Sequence, residues 1–497
     1  MLTRTRRRFT LPAAAGLALL AGAAITTIAG PLSPPGGPVA STFKTLTEVE
    51  PGIIVSAANT PGDADSVFRI TQPGRYLLAS DVVGQAGKHG IEIEAANVTL
   101  DMRGYQIRGV AGSLSGIDAN GTGPGSPTTA PNLTLRHGTI TGWGQAGVVA
   151  NNVGGWVVEE VRFASNGGDG ITVNSGTVFT RCYFVSNSGN GCGTSNHVEF
   201  NECFAGQNAL HGFAAGSDSS LRHCEATSNG GAGIVVPLGG RISECTVTGN
   251  VTVGIQVGDG GSVDNCHVDT NRAGGIIVGK GGTVTRSAVN GNGTSTSHHG
   301  IWARLFSVNT TTTATIEGCI VTSNTGTGIL SAGGTIRGCM AEANGASGIQ
   351  MSDRGVVTEC TAKSNTGTGI LGGQSVAILH CTSGANTIHG IQVSNDCLVR
   401  ANTCDSNGTA VANGAGININ STSFPFTNSD NRVEDNNCSD NDFGIAVGYG
   451  GNVILRNTCT TNGSGNFSIV AGNTKGTILS LAGADIATSN SWANIEY

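Results

Sequence analysis

Asparagine recurs every 21 residues at Asn166, Asn187, Asn208, Asn229, Asn250, Asn271 and Asn292, and the column resumes at Asn324, Asn344, Asn365, Asn386, Asn407, Asn441 and Asn462. Five residues before most of these stands a small residue, usually cysteine: Cys182, Cys203, Cys224, Cys245 and Cys266, then Ser287, Cys319, Cys339, Cys360 and Cys381. The same column then turns to Asn402, Asn436 and Asn457. A third column joins glycine to an apolar residue, as in Gly170-Ile171, Gly254-Ile255 and Gly390-Ile391. Three columns in one register define a stacked repeat, and its period is too short for two helices and a turn. The units also lack a leucine framework, which excludes leucine-rich repeats.

Within one unit, Cys245, Val247, Ile255, Val257 and Val263 form short alternating pairs separated by Asn or Gly. This pattern predicts three brief strands per coil, each turning one face inward. Stacked coils place each strand ~4.8 Å from its copy, so like residues lie over like and columns become ladders. The recurrent asparagine is expected to bond the next asparagine through its amide while adopting a turn conformation that other residues resist. Composition agrees: 79 glycines in 497 residues and 5% aromatics suit short strands and tight turns. With 12% charged residues and a net charge of -7, the chain has no basic surface for nucleic acid.

These columns resemble the parallel β-helix repeats of the pectate-lyase-like superfamily, asparagine ladder included, from Gly90 to Val470. Val98-Thr99-Leu100-Asp101 and Gly104-Tyr105-Gln106-Ile107 resemble a first coil of that superfamily. The resemblance implies an all-β, single-stranded, right-handed parallel β-helix (solenoid) of about 16 coils.

Around it, residues 1–30 resemble a twin-arginine signal peptide, with Thr5-Arg6-Arg7-Arg8-Phe9 before an apolar run from Ala13 to Gly30. Residues 31–40 form a Pro/Gly-rich linker, 41–80 an N-terminal cap over an otherwise open strand edge, 81–470 the β-helix and 471–497 a C-terminal cap. The expected location is exported, periplasmic or extracellular, with no membrane insertion once the signal is cleaved.

Fourteen cysteines in an exported chain suggest disulfides or a metal site. Their columns argue against both, because ladder neighbours run parallel with Cβ atoms ~4.8 Å apart, against ~3.8 Å in a disulfide. They are read as small interior hydrophobes, with Cys404, Cys438 and Cys459 in the column two residues later and Cys192 in place of an isoleucine. Cys397 falls at a turn and is expected to be the exposed thiol. No metal site and no cofactor are expected.

Superfamily members that cut polysaccharides carry acids, bases or calcium ligands on one outer strand face, yet Arg-x-Pro-x-x-Arg and the Asn-x-Asp, Asp-Asp and Arg-Ile-Lys set are missing here. His211, His299 and His389 each precede the Gly-Ile column and are read as solvated turn residues. Arg181, Glu202, His223 and Glu244 on consecutive coils, with Glu359 and His380 later, are read as charge pairs that fix register.

Insertions Asp118 to Asn132, Trp302 to Thr315 and Asn418 to Arg432 follow the Gly-Ile strand, so they should project from one edge. The last two would wall a surface about 24 Å long. Its floor would be Leu330, Gln350, Leu371 and Gln392, its walls Trp302, Arg304, Phe424 and Phe426, and its turn edge Asp353, Arg354 and Asp396. Candidate binding residues are Trp302, Gln350, Arg354, Gln392 and Asn418; candidate catalytic residues are Asp353, Asp396 and Arg304. Aromatic stacking over an amide-lined floor suits a neutral glycan. The expected function is polysaccharide recognition, with cleavage as a lyase or hydrolase in view, and the alternative is a non-catalytic envelope scaffold or adhesion protein.

Overall fold

Short strands recur three to a coil, and each hydrogen-bonds in parallel to its counterpart one coil later. In the coil after Gly170 they are Ile171–Val173, Val178–Thr180 and Tyr183–Val185, paired with Cys192–Thr194, Glu199–Asn201 and Phe204–Gly206. We call these the first, second and third sheets. The computed structural model describes residues 52–120, 132–152, 154–304, 312–409, 413–420, 428–481, 483, 485 and 490–497. The described strands all fall in one unit, Gly52–Tyr497. The signal-like segment, the linker, most of the three insertions, and Phe424 and Phe426 lie outside the described residues.

The protein is an all-β parallel solenoid of about 19 turns. The count exceeds the sixteen expected because the flanking segments also pair in parallel: Ile53 and Ile54 pair with Tyr76 and Leu77, and Thr474 and Lys475 with Val453 and Ile454. Inward residues fill a single continuous core. Like lies over like inside it, with Phe163 stacked on Phe184 (5.3 Å) and Phe179 on Phe200 (4.9 Å).

The asparagine column is a fully satisfied hydrogen-bond ladder. Asn208 Oδ1 accepts from both the backbone N–H (3.1 Å) and Nδ2 (3.0 Å) of Asn187, whose Nδ2 also donates to the carbonyl of Phe163 (3.1 Å). One expectation fails in detail. The left-handed residue is the one before the asparagine, as at Ser186 (φ 55°), Gln207 (φ 57°) and Ser228 (φ 55°), so the asparagine itself is free to turn its amide inward. The glycine column follows from the ladder: a Cβ on Gly254 would lie 2.7 Å from Asn271 Nδ2 and 2.9 Å from the carbonyl of Gly275.

All fourteen cysteines are free and buried. They do more than fill space. Cys224 Sγ bonds the carbonyl of Phe200 (3.5 Å), as a ladder asparagine would, and Cys182 N–H points at Cys203 Sγ (3.5 Å). At Cys381 the thiol column passes directly into a second asparagine ladder, its N–H donating to Asn402 Oδ1 (2.8 Å). Cys397 is not exposed. It heads a third ladder, with its N–H on Asn431 Oδ1 (2.9 Å) and its Sγ at the carbonyl of Gly373 (3.1 Å), and burial pushes its thiol up to about 11. Burial likewise raises Cys192 and Cys224. A thiol reagent is therefore expected to modify none of the fourteen in the native protein and all fourteen in unreduced denaturant. Twelve or fewer reactive thiols after denaturation would show that disulfides form.

Arg181, His223, Glu244 and Glu359 of the charged column before the cysteines pair across rungs, whereas Glu202 and His380 make no ion pair among the described residues. Arg181 holds Glu160 at 2.8 Å, His223 pairs with Glu244, and Arg337 reaches Glu359 at 3.2 Å.

Candidate outer-face binding site

Strand alternation turns Ile301 and Ala303 inward and Trp302 outward. Parallel register then places Trp302, Leu330, Gln350, Leu371, Gln392 and Asn418 on six successive rungs of the first sheet, one directly beside the next. The row spans about 24 Å. Trp302 was expected on a wall, but it lies on a strand and so belongs to the floor. Gln350, Leu371 and Gln392 are half-buried, while Leu330 and Asn418 are buried despite facing outward.

Arg304, two residues along the same face, lays its guanidinium over the Trp302 ring at 4.7 Å from the centroid. His299 meets the ring edge-on at 4.9 Å. The Trp302 indole Nε1 is buried with no hydrogen-bond partner among the described residues. Arg304 is thus tied to the aromatic, and burial holds its pKa below the usual arginine value.

Asp353 and Asp396 sit at the bend between the first and second sheets. Asp353 lies beside Gln374, which lies beside Asn395, so the two carboxylates are two rungs apart, about 10 Å along the axis. Asp353 Oδ2 accepts from the exposed Arg354 (3.2 Å), while Asp396 Oδ2 accepts from Gln374 (3.2 Å) and Asn395 (2.9 Å). The fold brings the amides of Gln350, Gln392 and Asn418 into one row, and it does not set the two aspartates on neighbouring rungs.

The His-Gly histidines were expected in solvent, and the structure places them in the corner before the first sheet, half-buried. Each Nδ1 accepts the N–H of the equivalent residue one coil on: His211 from Ala232 (2.9 Å), His299 from Thr327 (3.2 Å) and His389 from Ala415 (3.0 Å). Asp169 and Asn190 do the same work in the same column, accepting from Asn190 (2.6 Å) and His211 (3.1 Å). The sequence signal was this shared acceptor chemistry at one column position, His89 included. Burial lowers His211 and brings His299 and His389 down to about 4, so both are neutral at pH 7.

The neutral tautomer of His389 follows from its partners. Nδ1 is an acceptor, so Nε2 carries the hydrogen, and Asn418, whose amide lies 3.0 Å away, must present its oxygen to it. That leaves the Asn418 NH2 facing outward. Here the row opens into a cavity of about 450 Å³ lined by His389, Asn418, Asn420, Phe443 and Ser468 among others, with no charged side chain in its lining.

At the other end of the same row, Arg69, Glu92 and Asp118 are successive rungs. Glu92 is buried and pushed up to about 7, first by desolvation and then by Glu94, Asp63 and Asp65. His89 Nε2 stands 3.5 Å from Asp118. Sequence reasoning missed this group because the acids fall in separate coils with no shared motif.

No curated protein matches the chain. Among solved structures it is similar to the A-module of a mannuronan C-5 epimerase from Azotobacter vinelandii, at 13% identity over 73% of this chain and 84% of that one (TM-score 0.30). It is also similar to a surface adhesin of Streptococcus pneumoniae, at 11% identity over 65% and 84% (TM-score 0.27). A third likeness is to an E. coli bacteriophage tailspike protein in complex with a pentasaccharide, at 12% identity over 85% and 71% (TM-score 0.26). The family model described as the right handed beta helix region matches residues 115–292 and 262–428, which together cover most of the chain. Its coils, ladders and matched residues make this chain a member of the right handed beta helix family.

Proposed function

We propose that this is an exported protein that recognises a neutral polysaccharide along the first-sheet row from Trp302 to Asn418. The observation that carries the reading is the continuity of that row: amides at Gln350, Gln392 and Asn418 interleave with Leu330 and Leu371, and the Trp302 ring closes one end. An extended glycan advances by roughly one rung per sugar, so aliphatic and aromatic rungs meet its C–H faces and amide rungs meet its hydroxyls. None of the six rungs is charged, which favours an uncharged ligand.

Affinity electrophoresis against plant, algal and bacterial polysaccharides tests it. Gln350→Ala with Gln392→Ala removes two hydrogen-bonding rungs and is expected to weaken binding roughly 10- to 100-fold, at about 1 kcal/mol or somewhat more per bond. Trp302→Ala should weaken it similarly. Binding that survives all three changes in a folded protein would remove the row as the site. Because Asp396 is held by Gln374 and Asn395 and lies two rungs from Asp353, binding without turnover is expected. Release of reducing ends or unsaturated sugars, abolished by Asp353→Ala or Asp396→Ala, would make the protein an enzyme. Silence against every polysaccharide would favour the scaffold or adhesion reading.

A further inference from the structure

The outer face of the third sheet carries a second group of residues that the core does not use. Arg162, Tyr183 and Phe204 occupy three successive rungs, all facing outward. Tyr183 is 50% exposed, a large area for an aromatic ring on a sheet whose outer face elsewhere is mostly threonine and other small or polar residues. Phe204 bends along its own strand: a Cβ on Gly206 would lie 2.7 Å from its Cε1 and 2.8 Å from its Cζ, so the ring rests against the backbone over that glycine. The ring is half-buried there and keeps part of its surface in solvent. The two rings stand 6.1 Å apart with a 36° tilt, and they form the floor of a concavity of about 310 Å³.

The rim is polar. Gln207, Thr227 and Ser228 line one side, and Arg162 the other. The Arg162 guanidinium is exposed and makes no ion pair or hydrogen bond among the described residues, whereas its neighbour Arg181 is paired with Glu160. The nearest carboxylate in its own row, Glu225, is three rungs away, about 14 Å. An unpaired arginine beside two aromatic faces is therefore available to a carboxylate.

We propose that this ledge is a second binding site, for an acidic sugar unit of a polysaccharide, with the pyranose ring over Tyr183 and Phe204 and its carboxylate on Arg162. A sugar fits better than an acidic peptide. The backbone groups of these strands are already bonded to the coils on either side, so a peptide finds no free strand edge to extend. The flat rings and the hydroxyl and amide rim instead match the C–H face and hydroxyls of a pyranose. The site lies on a different sheet and in different coils from the row at Trp302 and does not rest on that reading.

The test is calorimetric titration of the full chain with oligogalacturonate, with neutral galacto-oligosaccharide and with tetraglutamate. Oligogalacturonate is expected to bind with a salt-dependent affinity; Arg162→Gln should weaken it roughly tenfold and remove the salt dependence, and Tyr183→Ala should weaken it at least as much. Both changes are at the surface and should leave the unfolding midpoint nearly unmoved, which separates lost binding from lost fold. Gln350→Ala with Gln392→Ala should leave this binding intact, so failure of one site is distinguishable from failure of the other. Absence of oligogalacturonate binding, equal affinity in wild type and both ledge variants, or tetraglutamate binding as tight as oligogalacturonate would each overturn the proposal.

Discussion

Asn250→Ala is expected to destabilise the protein by about 4–6 kcal/mol, far more than the loss of a side chain of that size from a surface. Asn250 Oδ1 accepts from the backbone N–H (3.0 Å) and Nδ2 (2.9 Å) of Asn229. Its Nδ2 donates to Asn271 Oδ1 (2.8 Å) and the carbonyl of Ala226 (3.1 Å). The residue and both ladder neighbours are fully buried. Alanine therefore strands two donors of Asn229 where water cannot reach, at about 1–3 kcal/mol each, and takes one donor from the Ala226 carbonyl and one from Asn271 Oδ1, which keeps the backbone N–H of residue 250 (3.0 Å). Asn250→Asp should be no milder, since it keeps the acceptor but sets a carboxylate oxygen against Asn271 Oδ1. At the half-buried end of the ladder, Asn462→Ala should cost only about 1–2 kcal/mol, because water can reach the groups of Asn441, Cys438 and Asn466 that it bonds. Urea denaturation of the variants checks the ordering, read by hydrogen exchange as well because stacked repeats can unfold in segments. A midpoint for Asn250→Ala indistinguishable from wild type would show that the ladder is not a principal source of stability.

Acidification between pH 6.5 and 4 is expected to weaken the fold through the corner histidines. Each of His299 and His389 uses Nδ1 as an acceptor from a backbone N–H, and burial holds both at about 4. Protonation would set one donor against another. A base whose folded pKa lies below its unfolded value, about 6.5, binds fewer protons when folded. Its contribution is therefore complete above pH 6.5 and is lost as the pH falls toward 4. The two together could remove up to about 6 kcal/mol. Glu92 acts in the opposite sense. Its folded value of about 7 exceeds the unfolded one, so its cost is absent below pH 4.5 and grows to about 3 kcal/mol as the pH rises to 7. The balance favours the histidines, with a net loss of about 3 kcal/mol on going from pH 7 to 4. His389→Asn should flatten the acid limb, since Asn190 already fills this column as an acceptor. Glu92→Gln should stabilise at pH 7.5 and be neutral at pH 4. Imidazole proton shifts of His299 and His389 that titrate near 6.5 in the native protein would refute the account.

The coil was readable because a stacked repeat converts sequence distance into spatial adjacency: residues 21 apart become neighbours across a rung, so every column predicts a row of contacts. That is why the three sheets, the ladder and the buried cysteines all follow from spacing. At the corners between strands, spacing failed to report burial. Cys397 follows a turn and looked exposed, yet it heads an asparagine ladder that resumes only at Asn431, beyond an insertion. The histidines looked solvated because a His-Gly step carries no sign of the N–H it accepts from the next coil.

The candidate site divides in the same way. Alternation along each strand put Gln350, Leu371 and Gln392 outward, and register then joined them to Trp302 and Asn418 in one line. Yet the stacking of Arg304 on Trp302, the amide orientation forced on Asn418 by His389, and the separation of Asp353 from Asp396 depend on side-chain directions that no column encodes. The Phe204 ring over Gly206 belongs to the same class.

By itself, then, the sequence determined the winding of this protein and which side of each strand meets the core, because those properties are periodic and a period survives in one dimension. The tertiary structure alone decided which outward groups are desolvated, which are tied to a neighbour and which stand free. Those outcomes depend on contacts among residues from several coils at once, and only the three-dimensional packing sets the local dielectric and the geometry of each hydrogen bond.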